Sequence, residues 1–295
     1  GNFTVRRKPV EGLGLACEGR YSHGNASFSL ADFGLFSALA YESKASMPRV
    51  LEHYFPGWWV YHSRIADDND RTESKDWTTF YEFSDPENST SVIAIRGTDS
   101  TLDVLSDINI WLTAALLQGF EYFGPWMMSS VSQAVDSWSK RVRGPEETDD
   151  HFSELIQWVH MRAASAKGKR HFYITGHSLG GGLAKLATLD LTMPAITFMA
   201  PGVGRTWYGI SGHPTDKTVV SSLSRRVVTV QPSHDYVSRI DVQLGTVVPT
   251  RCGADDPVTC HSIYKAGICP ILQMCGSMRR TDLVLPCGQC PDMCS

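Results

Sequence analysis

The feature that most constrains this fold is the segment 173–182, which reads YITGHSLGGG. It predicts a short apolar strand, a sharp turn and a helix, with Ser178 on the turn between Gly176 and Gly180. A serine at such a turn has a strained backbone, and a glycine two residues away on either side leaves room for the neighbouring backbones. The turn lifts the hydroxyl above the sheet, so Ser178 is the predicted nucleophile. The alternative is a glycine-rich turn with an idle serine.

Apolar periodicity in the rest of the chain predicts an α/β fold. Four runs are typical of buried strands: 91–95, 172–175, 195–199 and 226–230. Helices are predicted over residues 30–42, with Ser29 as the cap, and 151–166, whereas residues 60–90 look polar and rich in turns. Strands that alternate with helices indicate a mainly parallel central sheet with helices on both faces, and ligands of such sheets bind at the carboxyl ends of the strands.

Length and charge narrow the class of protein. The 295 residues suit one large domain or two small ones, and no repeat or low-complexity linker divides them, so we expect a single domain over 1–295. A net charge of −4 offers no basic surface for nucleic acid. No apolar run reaches the length of a transmembrane helix. Without an initiator methionine or a signal peptide, the sequence looks like a processed form or a domain cut from a larger protein.

The cysteines predict disulfides and an oxidising compartment. Of eight, Cys17 stands alone and the other seven lie in the segment 252–294. Three glycosylation sequons agree with a secreted or lumenal protein; they begin at Asn2, Asn25 and Asn88. The alternative is a zinc site, because Cys287 and Cys290 have C-x-x-C spacing, but no second such pair or histidine pair accompanies them. We therefore expect no metal, and a Cys252–Cys260 bridge.

A serine nucleophile needs a histidine base and a carboxylate that orients the histidine. In α/β-hydrolases both follow the serine, the acid first. Asp235 is the favoured acid because it lies in a loop directly after the strand 226–230; Asp241 and Asp216 are the alternatives.

Three histidines could be the base: His213, His234 and His261. His213 lies in a predicted surface turn, and His234 adjoins the acid and would point away from it in an extended loop. His261 is favoured, because it precedes a predicted short helix and a disulfide at Cys260 would hold its backbone.

The negative charge that develops during ester cleavage requires an oxyanion hole. The amide of Leu179, just after the nucleophile, is one predicted donor. The turn 95–99, with sequence IRGTD, follows a strand and supplies Thr98 as the second.

Together these segments resemble the class 3 lipases, a family with the α/β-hydrolase fold. The resemblance covers about residues 30–275 and rests on four segments in the family's order: IAIRGT at 93–98, GHSLGG at 176–181, TFMAPGVG at 197–204, and Asp235 with Val237. It implies a triad of Ser178, Asp235 and His261, with Thr98 and Leu179 as oxyanion donors, no cofactor, and a lid after the turn at 96–98. The interval from Asp235 to His261 is shorter than in the fungal members, and the tail after Cys275 has no counterpart that carries over.

The predicted lid is the segment 109–128, which is apolar on nearly every helical face and follows the oxyanion turn. Its large apolar residues include Trp111, Leu112, Leu116, Leu117, Phe120, Phe123 and Trp126. The alternative is a buried helix of the core.

These features predict a serine hydrolase that cleaves carboxylic esters of lipids, such as triacylglycerol or diacylglycerol, at a membrane or droplet surface. Two different functions fit the same residues. One is an inactive lipase-like scaffold used for binding, and the other is an esterase for small soluble or plant-wall esters. An aromatic lid favours lipid over a small soluble ester.

Overall fold

A seven-stranded sheet organises the computed structural model of this protein. The structure describes residues 1–6, 17, 21–23, 26–64, 79–97, 150–166, 168–191, 193–207, 217–276 and 282–293. The strands in these ranges are β1 (Asn2–Arg6), β2 (Tyr21–His23), β3 (Ala26–Phe28), β4 (Trp59–Arg64), β5 (Phe80–Ser84), β6 (Thr90–Ile95), β7 (His171–His177), β8 (Ala195–Phe198), β9 (Val227–Pro232), β10 (Thr246–Thr250) and β11 (Asp282–Pro286).

The helices of the same ranges are α1 (Leu30–Leu39), α2 (Met47–Tyr54), α3 (Asp150–Ala166), α4 (Leu179–Asp190), α5 (Lys217–Arg226), α6 (Pro257–Cys260) and α7 (Cys269–Cys275). A π-helix, Ile263–Ile268, connects α6 to α7, and short 3-10 turns cover Val237–Arg239 and Pro291–Met293.

The central sheet is mainly parallel, as predicted. Its strand order is β10-β9-β8-β7-β6-β5-β4. The five strands from β6 to β10 run parallel, and β5 and β4 continue the sheet antiparallel at one edge. Parallel neighbours need crossover connections, which place helices against the sheet. The strand pairing therefore follows from the alternation of strands and helices in the sequence.

Helices cover both faces of the sheet, and the alternation of side chains along each strand separates two cores. Val92 and Ala94 of β6 pack with α1, α2 and α7 in one cluster. Ile93 and Ile95 of the same strand pack with α3, α4 and α5 in the other. Because both faces are covered, the central strands are apolar throughout, which is typical of parallel sheets.

The polar region 60–90 contains two strands that the sequence did not indicate, β4 and β5. In β5, Tyr81 and Phe83 face one core, whereas Glu82 between them is fully buried on the other side. Glu82 is stabilised there by Arg162 of α3 at 2.8 Å and by Arg170 at 3.4 Å. The prediction of a turn-rich stretch was wrong at these residues because a buried, paired carboxylate interrupts the apolar pattern.

Helix α1 begins where the sequence predicts and is buried on all sides. The Ser29 hydroxyl accepts from the Asp32 amide, and the Asp32 carboxylate accepts from the Ser29 amide, so the two form a capping box. All ten residues of the helix are buried. Among the described helices, none is both long and apolar enough to cross a membrane.

Three disulfides link cysteines among the described residues, which confirms the predicted oxidised cysteines. Cys17 pairs with Cys275, Cys252 with Cys260, and Cys269 with Cys290. Strand β1 pairs antiparallel with β11, so the first and last described strands form a ladder of their own. The predicted Cys252–Cys260 bridge is therefore confirmed, and Cys290 takes part in a disulfide.

Candidate active site

Ser178 lies on the turn between β7 and α4, at the carboxyl edge of the sheet. Its backbone has φ 56° and ψ −131°, a combination that residues with a side chain rarely adopt. The Ser178 amide donates to the Phe198 carbonyl at 3.0 Å, and the Gly181 and Gly182 amides donate to the Ser178 carbonyl at 3.0 and 3.2 Å. These bonds hold the turn from both sides, and the strain predicted from the glycine pattern is present.

The bracketing glycines are needed because three backbone segments meet beneath Ser178. A Cβ atom on Gly176 would lie 2.5 Å from the carbonyl of Gly180. A Cβ atom on Gly180 would lie 2.3 Å from the carbonyl oxygen of Ile95, at the end of β6. Any side chain at either position would push the helix away from the strands, and Ser178 with it.

The structure brings Ser178, His261 and Asp235 into one hydrogen-bonded row. His261 Nδ1 lies 2.8 Å from Asp235 Oδ1, and His261 Nε2 lies 2.9 Å from Ser178 Oγ. Since a carboxylate only accepts, Nδ1 carries the proton and Nε2 is free to accept the serine proton. All three residues are buried, with exposed fractions of 1%, 8% and 0% for Ser178, His261 and Asp235.

Asp235 follows β9 in a loop that holds its carboxylate in place. Oδ1 accepts from the Val237 amide at 3.2 Å, and Oδ2 accepts from the Ser238 amide at 3.1 Å. Both donors belong to the 3-10 turn Val237–Arg239, so the bonds fold the start of that turn around the Asp235 side chain. Oδ1 can accept a second hydrogen bond and faces His261, so the loop presents one carboxylate oxygen to the imidazole.

His261 follows α6, which is anchored at both of its ends. Asp256 caps the helix by accepting from the Thr259 amide at 2.8 Å. At the other end Cys260 is bonded to Cys252, and the His261 amide donates to the Pro257 carbonyl at 2.9 Å. The backbone that carries the imidazole is therefore fixed by a cap, a disulfide and a helical hydrogen bond.

Asp241 and His234, the competing candidates for acid and base, lie elsewhere in the fold. Asp241 is buried, and its carboxylate accepts from the amides of Arg205 and Thr206, both at 2.9 Å, so it holds a loop. His234 is solvent-exposed, in a left-handed conformation with φ 69°. His213 and Asp216, also considered as base and acid, lie outside the described residues.

Of the two predicted oxyanion donors, Leu179 lies in the described residues. Leu179 is the first residue of α4, so its amide has no acceptor within the helix. The turn after β6 lies close to Ser178, because a Cβ atom on Gly97 would be 3.3 Å from Ser178 Cβ. Thr98 directly follows Gly97 but lies outside the described residues, as does the predicted lid, 109–128.

Two residues beside the row were not predicted from the sequence. His177, the residue before Ser178, bonds through Nε2 to the His261 carbonyl at 2.8 Å and through Nδ1 to the Tyr41 hydroxyl at 2.9 Å. Burial, followed by the nearby His261, lowers the pKa of His177 to about 3. In the sequence His177 occupied only a variable position of the glycine pattern, and Tyr41 lies 136 positions away.

A buried serine that shares a hydrogen bond with a carboxylate-oriented imidazole has the geometry required for acyl transfer. Helix α4 begins directly after Ser178, and amides at the start of a helix can stabilise the negative charge of a tetrahedral intermediate. The arrangement thus has the features of a serine hydrolase site, placed at the carboxyl ends of β6, β7 and β9.

A comparison with models of protein families gives the same class. The class 3 lipase model matches residues 92–243, slightly more than half of the chain. The chain therefore belongs to the class 3 lipase family. It is a carboxylic ester hydrolase with the α/β-hydrolase fold, and the expected family and fold are confirmed.

Comparisons with solved structures find lipases at low sequence identity. The Lip2 lipase of Yarrowia lipolytica is 15% identical, with 76% of this chain and 77% of that one covered and a TM-score of 0.41. Lipase II of Rhizopus niveus is 17% identical, with 76% and 80% covered and a TM-score of 0.42. The M37 lipase is 14% identical, with 83% and 93% covered and a TM-score of 0.46. A search of curated protein sequences found no match.

Proposed function

We propose that this chain hydrolyses carboxylic esters of lipids, with Ser178 as nucleophile, His261 as general base and acid, and Asp235 as the group that orients His261. The observation that carries the proposal is the buried row of two hydrogen bonds, 2.8 Å and 2.9 Å long, that ends on a serine in a strained turn. Membership of the lipase family supports lipid esters as the substrate class.

In the first half of the reaction the Ser178 oxygen attacks the ester carbonyl carbon while His261 Nε2 takes the hydroxyl proton. Asp235 stabilises the imidazolium that forms. The carbonyl oxygen becomes an oxyanion, which we assign to the Leu179 amide and to Thr98. When the carbon–oxygen bond of the ester breaks, His261 gives its proton to the departing alcohol, and the acyl group remains on Ser178.

Water completes the second half by the same path. His261 accepts a proton from the water as it attacks the acyl-serine, and returns that proton to Ser178 as the fatty acid leaves. Every proton and electron pair of this cycle is supplied by the protein side chains, the ester and water. We infer that residues 1–295 form a single α/β-hydrolase domain, and the disulfides found among the described residues support an extracytoplasmic location. The lid at 109–128 stays a prediction from the sequence.

The test combines a label, a variant and a substrate panel. A fluorophosphonate should label the wild-type chain once, at Ser178, and Ser178→Ala should lose both the label and at least about 10⁴-fold in turnover while it unfolds at a similar temperature. Without labelling, an inactive scaffold is favoured. Hydrolysis of triacyl-, diacyl- and phospholipids is compared with that of short nitrophenyl esters; activity on the short esters alone favours an esterase for soluble substrates.

A further inference from the structure

Tyr41 and His177 form a continuous hydrogen-bonded bridge between the turn at Gly97 and His261. Tyr41 lies just beyond the end of α1, and its hydroxyl accepts from the Gly97 amide at 3.1 Å. The same hydroxyl is 2.9 Å from His177 Nδ1, and His177 Nε2 is 2.8 Å from the carbonyl oxygen of His261. The bridge therefore begins at the turn next to Thr98 and ends on the backbone of the triad histidine.

The chemistry of the partners fixes the direction of each hydrogen bond. The His261 carbonyl can only accept, so Nε2 of His177 carries the proton. In a neutral imidazole Nδ1 is then an acceptor, and the Tyr41 hydroxyl must donate to it. The oxygen of that hydroxyl is left to accept from the Gly97 amide. Each donor has one acceptor, and no group of the bridge can reverse without breaking its neighbour's bond.

The bridge is also tightly packed, so its side chains set the distance between the turn at Gly97 and His261. A Cβ atom on Gly97 would lie 2.6 Å from the Tyr41 hydroxyl and 2.7 Å from the His177 carbonyl oxygen. The rings of His177 and His261 are 4.8 Å apart between centroids. The glycine turn, the residue before the nucleophile and the triad histidine are thus in contact although they come from three different parts of the chain.

We propose that Tyr41 and His177 are positioning residues that hold the oxyanion turn and the His261 backbone at a fixed separation across Ser178. This rests on the proposed function, because it assigns roles relative to the triad. Ester attack needs the base on one side of the serine oxygen and the oxyanion donors on the other, and a misplacement of about 1 Å can lower the rate about 100-fold. The bridge connects these two sides without touching the reacting atoms.

The first test removes the Tyr41 hydroxyl. Tyr41→Phe should lower kcat on a soluble nitrophenyl ester about 10- to 100-fold and change KM by less than about threefold, because transition-state alignment is lost while the substrate groove stays. Tyr173→Phe is the matched control, because it removes the hydroxyl of a buried tyrosine from the strand that carries the nucleophile. Equal effects of the two variants would overturn the proposal.

The second test exchanges the middle of the bridge. In glutamine, Oε1 and Nε2 flank one carbon as Nδ1 and Nε2 flank Cε1 in histidine, so His177→Gln can accept from Tyr41 and donate to His261. His177→Leu can do neither. We expect the glutamine variant to keep at least about a third of wild-type kcat and the leucine variant to resemble Tyr41→Phe. Equal activity of the two His177 variants would contradict the bridge.

The rate constant of fluorophosphonate labelling at Ser178 serves as the common readout, measured under conditions in which the unfolding curve of each variant shows it to be folded. Ser178→Ala runs beside the other variants. If Ser178→Ala stays active, the triad assignment fails. If Ser178→Ala is inactive while Tyr41→Phe labels at the wild-type rate, the triad stands and the bridge is overturned.

Discussion

At the scale of single residues, the site depends on backbone strain at Ser178. Its φ of 56° is in a region that disfavours a side chain, and holding a residue there costs on the order of 1–3 kcal/mol. The surrounding contacts supply that energy, since Gly176 and Gly180 let strand and helix approach closely enough to fix the turn. The strain exposes the Ser178 oxygen to His261 instead of burying it in the first turn of the helix.

A comparison of two inactive variants measures this strain. Ser178→Gly and Ser178→Ala both remove the hydroxyl, but only glycine relieves the strained backbone. In the middle of an ordinary helix or strand, a protein with glycine is less stable than one with alanine by about 0.5–1 kcal/mol. At this position we expect the order to reverse, with Ser178→Gly more stable than Ser178→Ala by about 1 kcal/mol in urea unfolding. A glycine variant that is less stable than the alanine variant would mean that the turn is not strained.

The residues of the site differ in how far the sequence could predict them. Ser178 is set by a local pattern, because strand, glycines and helix lie within ten residues of one another. Asp235 and His261 needed the chain order of a hydrolase as well as local pattern. Tyr41 and His177 could not be predicted, because their roles depend on a contact between positions 136 apart, and no spacing rule connects a tyrosine after α1 to the nucleophile turn.

At the scale of elements, a buried lysine connects helix α4, which begins directly after Ser178, to the loop that carries Asp235. Lys185 of α4 is fully buried, and its Nζ donates to the Pro201 carbonyl and to Gln243 Oε1, both at 2.7 Å. Gln243 in turn donates to the Ser238 carbonyl at 2.6 Å, and the Ser238 amide donates to Asp235. Helix α4 and the loop that carries the acid are therefore connected through side chains as well as through the sheet.

This lysine should make stability depend on pH. Burial lowers the pKa of Lys185 to about 7, with a partly offsetting contribution from Asp241. Between that pKa and the ordinary lysine value of 10.5, the unfolded chain binds a proton at Lys185 that the folded chain has released, so the free energy of unfolding rises with pH in this window. The total rise is on the order of 5 kcal/mol. Urea unfolding of wild type and Lys185→Met at about pH 7, 8 and 9 covers about half of this window and should show a rise of about 2 kcal/mol in the wild type alone. Parallel profiles would contradict the shift.

Helix α6 depends on its disulfide in a way that activity should reveal. Cys252 and Cys260 are 8 positions apart, so their bridge should contribute about 2–3 kcal/mol by restricting the unfolded chain. It also fixes the residue before His261. We expect Cys252→Ser with Cys260→Ser to slow fluorophosphonate labelling about tenfold or more.

The matched control for that variant is Cys269→Ser with Cys290→Ser. This bridge spans 21 positions and contributes about 3 kcal/mol by the same reasoning, but it is not adjacent to the imidazole. The control should unfold at a similar urea concentration and label at nearly the wild-type rate. If both variants label equally fast, the Cys252–Cys260 bridge has no role beyond stability.

Strands and helices with a clear apolar pattern could be predicted from the sequence. Those that depend on ion pairs or on strand partners far away in the chain could not. Strands β6, β7, β8 and β9 and helices α1 and α3 begin and end close to their predicted positions, because burial on both faces of a parallel sheet leaves continuous apolar runs. Strand β5 was missed because Glu82 is buried only by virtue of two arginines, one from α3 and one just before β7. The β1–β11 ladder joins segments far apart in the sequence, and no local signal selects that partner.

At the scale of the whole molecule, one disulfide and one pair of strands connect the beginning of the chain to its end. The bridge from Cys17 to Cys275 spans 258 positions, and the β1–β11 ladder joins segments that are similarly far apart. Cys275 ends helix α7, whose residues Ile271 and Leu272 pack in the same core as α1. A cross-link over so long a segment removes far more freedom from the unfolded state than from the folded one.

That long bridge should therefore affect stability much more than catalysis. By the chain-entropy account it contributes about 5 kcal/mol, roughly twice the value for Cys252–Cys260. Cys17→Ser with Cys275→Ser should lower the urea midpoint more than either of the shorter bridges does, whereas the labelling rate of Ser178 in the remaining folded protein should stay within about twofold of wild type. Cys252→Ser with Cys260→Ser should have the opposite effect. It should lower the urea midpoint less and slow the labelling of Ser178 more. A crossed result, in which the long bridge slows labelling and the short one leaves it unchanged, would mean that the Cys17–Cys275 closure, and not the α6 anchor, holds His261 in place.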